Sequence, residues 1–383
     1  MPLHFSEQEL ADRRAKACTA LAEAGLDGLL CFRQESMFWL TGYDTFGYVY
    51  FQCLYLGADG TMTLLTRAPD LRQAQQTSVI DDIRIWVDRP DASPADQLRD
   101  ILEEQGCRGQ RLGIEWEAYG LTANNGRAVE ASMAGFCDLA DASRLVSELR
   151  LIKSAAELDY VRQAGALADA AWDEAVALAA PGAFEGDILA AMQGAVFKGG
   201  GDYPGNEFII GSGPQALLCR YYTGRRHLSD RDQLTLEFAG VYRRYHACLM
   251  RTLCIGAPPQ RQRDMHTVAV ESLEAAKAAL RPGQPIGDVF DAHARVIDAA
   301  GMKEHRLNAC GYSLGATYAP NWMDWPMFFH SNPVLAGPGM VFFIHIILFD
   351  SDAGLAMTSG QTVAVTETGC TPVTQAPLDL VVN

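Results

Sequence analysis

The apolar positions follow two regimes along the chain. Up to about residue 149, short apolar runs alternate with segments of helical spacing. "GLDGLLCF" (25–32) and "GYVYFQCLYLG" (47–57) predict buried strands, and "TMTLLT" (61–66) continues the second as a hairpin. "PADQLRDILEEQG" (94–106) predicts a helix closed by glycine. This alternation predicts an α/β domain of three layers, with helices on both faces of a sheet.

The second regime opens with "LRLIKSAAELDYVRQAGALADAAWDEAVALAAPG" (149–182). Ser154 and Glu157 form an S-x-x-E capping box, and Leu158, Val161, Leu167 and Trp172 recur at helical spacing until Pro181-Gly182 stops the helix. The domain boundary therefore falls near residue 150, giving domains 1–150 and 151–383. Inside the second domain the sequence repeats: "PGAFEGDILAAMQGAVFKGGG" at 181 matches "PGQPIGDVFDAHARVIDAAGM" at 282. Each copy follows a long helix (155–179 and roughly 260–280) and precedes strand-rich sequence. Two α-α-β-β halves about a pseudo-twofold axis are expected, with a ligand site drawing residues from both.

Composition narrows the function. The chain has 383 residues, 49% hydrophobic and 20% charged, which is enough to bury a large core in two domains. A formal charge of −16 repels phosphate backbones and anionic lipid, so neither nucleic acid nor a membrane is an expected partner. "MPLHFSEQEL" has no basic segment leading into an apolar stretch, and no run of 18 apolar residues occurs, so a cytoplasmic location is expected. The ten cysteines form no C-x-x-C pair, and most are expected to be reduced, buried hydrophobes. No H-E-x-x-H, Walker loop, dinucleotide fingerprint or G-x-S-x-G elbow is present.

The repeat, the "LRLIKSAAELDYVRQA" opening and the strand pair "LTLEFAGVYRRYHACLMRT" (234–252) resemble the creatinase, prolidase and methionine aminopeptidase superfamily over nearly the whole length. The resemblance implies a creatinase-like N-terminal domain followed by a pita-bread catalytic domain. Metallopeptidases of that superfamily hold two metal ions on five carboxylate and histidine ligands, and the matching positions here read Glu237, Cys248, Tyr312, His345 and Gly360. Not one of the family's ligands is kept, so no metal and no other cofactor are expected. A single zinc on Glu237, Cys248 and His345 stands as the alternative.

"GGDYPG", "GVYRRYHACLMRT", "GYSLGATYAPNW" and "WLTGYD" are similar to segments of the metal-independent branch, creatinase and above all ectoine hydrolase. That resemblance implies a homodimer hydrolysing a non-peptide C–N bond in a small zwitterionic amidine or guanidino acid. Glu237 is the expected anchor for an amidinium or guanidinium cation. Arg220 stands where creatinase carries its proton-shuttling histidine, and arginine stays protonated, so it is expected to clamp a carboxylate instead.

A proton acceptor must then come from elsewhere. His345, in "VFFIHIILF", is the first candidate and His246 the second; His246 is two residues from Cys248 and on the same strand face. Tyr312 and Trp322 complete the expected substrate-binding set with Cys248, Trp322 as an aromatic wall for a cation. Two other readings stay open: an Xaa-Pro dipeptidase-like metalloenzyme with a rebuilt site, and a small-molecule-binding homologue without catalysis.

Overall fold

A computed structural model describes residues 3–220 and 224–383. The chain forms two compact units, 1–150 and 151–383. In the first, the strands are β1 (Gly28–Cys31), β2 (Cys53–Gly57), β3 (Met62–Arg67), β4 (Asp82–Trp86), β5 (Arg111–Ile114) and β6 (Asp138–Asp141), in the order β4-β3-β2-β1-β5-β6. Its helices are α1 (Glu7–Glu23), α2 (Gln34–Thr41), α3 (Leu71–Thr77), α4 (Pro94–Glu104), α5 (Ala123–Met133) and α6 (Leu145–Leu149).

Strand alternation makes this unit a sandwich. Leu30, Tyr55 and Leu65 pack with Leu98, Leu102 and Val129 of α4 and α5, while their neighbours Leu29, Leu54 and Leu64 pack with Leu21, Trp39 and Ala74 of α1 to α3. The three-layer expectation holds. The long strand read over 47–57 does not: residues Gly47–Val49 form a 3-10 turn, and strand begins only at Cys53. Thr45 Oγ1 accepts the Gly47 N–H at 2.8 Å and donates to Asp70 at 2.7 Å, so a side chain takes the first N–H that a sheet would use.

The second unit contains α7 (Ala155–Leu178), α8 (Glu185–Lys198), α9 (Gln260–Ala279) and α10 (Gly287–Ala299). Its strands are β7 (Ile209–Ser212), β8 (Asp232–Tyr242), β9 (Tyr245–Ile255), β10 (Gly311–Ser313), β11 (Asp324–Met327), β12 (Val341–Asp350), β13 (Leu355–Val365) and β14 (Cys370–Pro372). The capping box forms as read: Ser154 Oγ accepts from Glu157 N, and Glu157 Oε2 accepts from Ser154 N at 2.7 Å.

The repeat is visible in the sheet. From the junction of β13 and β9 in the order β11-β10-β12-β13-β9-β8-β7, β13-β12-β10 on one side mirrors β9-β8-β7 on the other, and β11 is added beyond β10. α7 packs on β8, β9 and α8, while α9 packs on β12, β13 and α10. Gly182 and Gly283 both take left-handed backbone, φ 81° and 77°, and both donate N–H across to the strand-side segment, to Leu228 O and Ala336 O. This is the pita-bread architecture.

Candidate active site

Cross-strand register assembles the site. Glu237 on β8 pairs with Met250 on β9, Met250 with Gly360 on β13, and Gly360 with His345 on β12. Residues directly opposite in a sheet share a face, so these four form one row across both halves of the repeat. Cys248 lies two residues from Met250, and Tyr312 on β10 pairs with Phe343, two residues from His345, so they join the same face. The alternate residues of β12, namely Phe342, Ile344, Ile346 and Leu348, enter the core beneath α9 and α10.

A hydrogen-bonded chain crosses this face. Trp322 Nε1–H donates to the Tyr312 phenol oxygen at 2.8 Å, and the Tyr312 O–H donates to Glu237 Oε1 at 3.2 Å. Tyr312 is thus neither a surface residue nor a filler: its oxygen accepts from an indole and donates to a carboxylate. Burial pushes the Glu237 carboxyl up to about 7, against the opposing effects of the Tyr312 hydrogen bond and the Arg220 charge. The Tyr312 hydroxyl is pushed well above its ordinary value, first by burial and then by the Glu237 charge, so it remains a donor.

His345 lies against Tyr312 and Phe343 in tilted ring contacts, with centroids 5.6 and 5.5 Å away. Its Nδ1 is buried without a hydrogen-bond partner. Burial, with repulsion from protonated His293 and from Arg220 adding to it, lowers its pKa to about 3. A ring that resists protonation so strongly is a poor proton acceptor near neutrality and a good neutral hydrogen-bond partner. This changes the expected division of labour: of the candidates, Glu237 has the pKa suited to moving a proton.

His246 departs furthest from expectation. Its Nε2 accepts the Gly205 N–H at 2.8 Å, and its Nδ1 lies 2.9 Å from Arg244 O and 3.1 Å from Thr317 Oγ1. Both ring nitrogens are committed to backbone and loop, and burial lowers the pKa to about 4. His246 is a structural anchor in this arrangement, and we correct its expected role as proton acceptor. Trp322 commits its indole N–H to Tyr312, a hydrogen bond separate from the ring face expected to meet a cation.

Cys248 is fully buried, and burial, with the nearby Glu237 charge, raises its thiol well above the ordinary value. Without a cation beside it, it stays a thiol at neutral pH and is a poor nucleophile. Arg220 is exposed and adjoins residues 221–223, which are outside the described structure, yet its charge acts on both Glu237 and His345.

The five positions matched to metal ligands do not fit a dinuclear centre. A Cβ on Gly360 would lie 2.7 Å from the Phe343 ring, so the place of a fifth ligand is filled by an aromatic side chain. Tyr312 is engaged by Trp322 and Glu237. Among the described residues no group of three or more His, Cys, Asp or Glu is arranged to hold a metal, which also counts against the single-zinc alternative.

Sequence reading missed Phe343 and Met250 here. Period-two alternation from His345 and Cys248 places both on the site face, but only the folded sheet shows the Phe343 ring reaching over Gly360, diagonal to it in the register.

No helix among the described residues is long and apolar enough to cross a membrane. Residues 13–152 match the creatinase/prolidase N-terminal domain and residues 159–367 the metallopeptidase family M24. The chain is 29% identical to the ectoine hydrolase of Halomonas elongata, covering 100% of this chain and 99% of that protein. It is 30% identical to an uncharacterized hydrolase/peptidase, y4tM, of Sinorhizobium fredii, with 100% and 99% covered. The prolidase of Thermococcus sibiricus superposes with a TM-score of 0.89 at 19% identity, over 99% of this chain and 100% of that one, a likeness of fold. The chain therefore belongs to metallopeptidase family M24, as a hydrolase carrying a creatinase/prolidase-type N-terminal domain.

Proposed function

We propose that this chain hydrolyses a non-peptide C–N bond in a small zwitterionic amidine or guanidino acid, without a metal ion. The observation that carries the reading is the chain Trp322–Tyr312–Glu237, which stands where the family's metallopeptidases bind metal and ends in a buried carboxyl with a pKa of about 7. The full-length similarity to an ectoine hydrolase supports the substrate class.

In this mechanism ionised Glu237 meets the amidinium and takes a proton from the attacking water. The water oxygen bonds to the amidine carbon. As the tetrahedral intermediate collapses, the C–N bond breaks, Glu237 returns the water proton to the leaving nitrogen and the proton of the new hydroxyl ends there too, giving an ammonium and an amide, or a urea from a guanidino acid. Tyr312 holds Oε1 throughout, neutral His345 accepts a substrate N–H, and Arg220 meets the carboxylate. Cys248 packs beside Glu237. We further propose that the protein works in the cytoplasm as a homodimer.

A panel of ectoine, creatine and an Xaa-Pro dipeptide, followed by product release, tests the reading. Ring opening of ectoine or cleavage of creatine is the expected result. Cleavage of the dipeptide alone would establish the peptidase alternative, and binding of ectoine without turnover of any substrate would establish the non-catalytic one.

A further inference from the structure

His246 is buried, occupied at both nitrogens and unused by the mechanism above. Its partners show what it does. Because Nε2 accepts the Gly205 N–H, the ring proton sits on Nδ1, where it is directed to Arg244 O with Thr317 Oγ1 alongside. The Thr317 hydroxyl in turn donates to Trp322 O at 3.5 Å. Gly205 packs directly on the same segment: a Cβ there would lie 2.8 Å from Asn321 O and 3.2 Å from Trp322 N.

The Gly205 segment is also fixed at its other end, since Asp202 Oδ2 accepts the Arg244 N–H at 3.1 Å. Arg243 and Arg244 form the two-residue turn between β8 and β9, both at positive φ, 48° and 71°. Such backbone is costly for non-glycine residues and persists only where surroundings hold it. The His246 ring and Asp202 supply two of those restraints.

We infer that His246 is a positioning residue, clamping Gly205 and Thr317 against the Asn321–Trp322 backbone so that the Trp322 indole N–H stays on the Tyr312 oxygen. The Tyr312 hydroxyl is then confined to donating toward Glu237. The histidine, which touches neither substrate nor reacting atoms, thereby sets the geometry of the proton-transfer group through three residues. This rests on the proposed reaction only for its catalytic consequence; the clamp itself is a statement about hydrogen bonds.

The test is the indole 1H–15N resonance of Trp322 in the full-length protein, assigned among the six tryptophans by its loss in Trp322→Phe. Tyr312→Phe defines the position of an indole without its acceptor. His246→Leu is expected to move the resonance toward that position and speed its exchange with water. His246→Gln, which keeps an acceptor for Gly205 and a donor for Arg244 O, is expected to leave it near the wild-type position.

Gly205→Ala, which pushes on Asn321 with His246 intact, is expected to displace it as well, and it decides the matter if His246→Leu does not fold. A wild-type resonance in folded His246→Leu, or in Gly205→Ala should the first not fold, would overturn the clamp. With ectoine, His246→Leu is expected to lower kcat on the order of tenfold to a hundredfold with little change in KM. Absence of ectoine turnover in the wild-type protein would count against the substrate assignment and leave the resonance test standing.

Discussion

Glu237→Gln is expected to lower turnover by roughly a hundredfold to ten-thousandfold, the span typical of removing a general acid–base group. The amide still accepts from Tyr312 and fills the same space, but it neither takes a proton nor carries the charge that meets an amidinium. In the wild-type protein kcat/KM is expected to rise with pH through an acid limb near 7, because the free enzyme must ionise a carboxyl held at about that value. The limb in kcat should lie lower, since a bound cation favours the carboxylate.

The same residue links activity to stability. A carboxyl whose folded pKa is raised stays protonated in the folded state after the unfolded chain has released its proton. Stability from Glu237 is therefore fully present below the unfolded value near 4.5 and is lost as pH rises through about 7. Glu237→Gln removes that loss, so its melting temperature should gain on the wild type between pH 5 and pH 8. Thermal unfolding at both pH values reads this directly. No acid limb near 7 in the wild type together with near-normal turnover in the variant would remove Glu237 from the chemistry.

Arg220 carries the second large effect. Arg220→Ala should weaken binding of carboxylate-bearing ligands by about 1.5 to 3 kcal/mol, the worth of a hydrogen bond to a charged group. The exposed position of the unliganded side chain sets this below the cost of breaking a buried pair. Arg220→Lys keeps the charge and loses the planar fork, so it should recover only part of the affinity. Calorimetry with ectoine and with an analogue whose carboxylate is amidated separates the cases: the variants should differ from wild type for the first ligand and hardly for the second. Equal losses for both ligands would place Arg220 away from the carboxylate.

Much of this architecture is written in local sequence. The capping box at Ser154 and Glu157, the Pro-Gly stops at 181 and 282 and the alternation in β8, β9 and β12 are short-range signals, and the fold follows them. The segment 47–52 reads as strand because its residues are apolar and β-prone, but Thr45 takes the Gly47 N–H and is itself held by Asp70, a contact spanning 25 residues, while Val49 and Tyr50 N–H close local turns.

The site shows the same division. Glu237, Tyr312 and His345 stand out by substitution at ligand positions. Which side chain moves a proton depends instead on burial and on partners brought from other strands. His246 looks like a base in sequence because it is a histidine near Cys248. Its true partner, Gly205, lies 41 residues away on a glycine-rich segment that marks nothing chemical by itself. Phe343 escaped notice because nothing in its own strand indicates that Gly360 lies beneath it.

The measurement that bears most directly on the central claim is the turnover of ectoine by protein taken through exhaustive chelation, with its residual metal content determined on the same sample. An undiminished rate in protein holding far less than one ion per chain is the result this account predicts. A rate that falls with the metal and returns on adding back manganese, cobalt or zinc would contradict it.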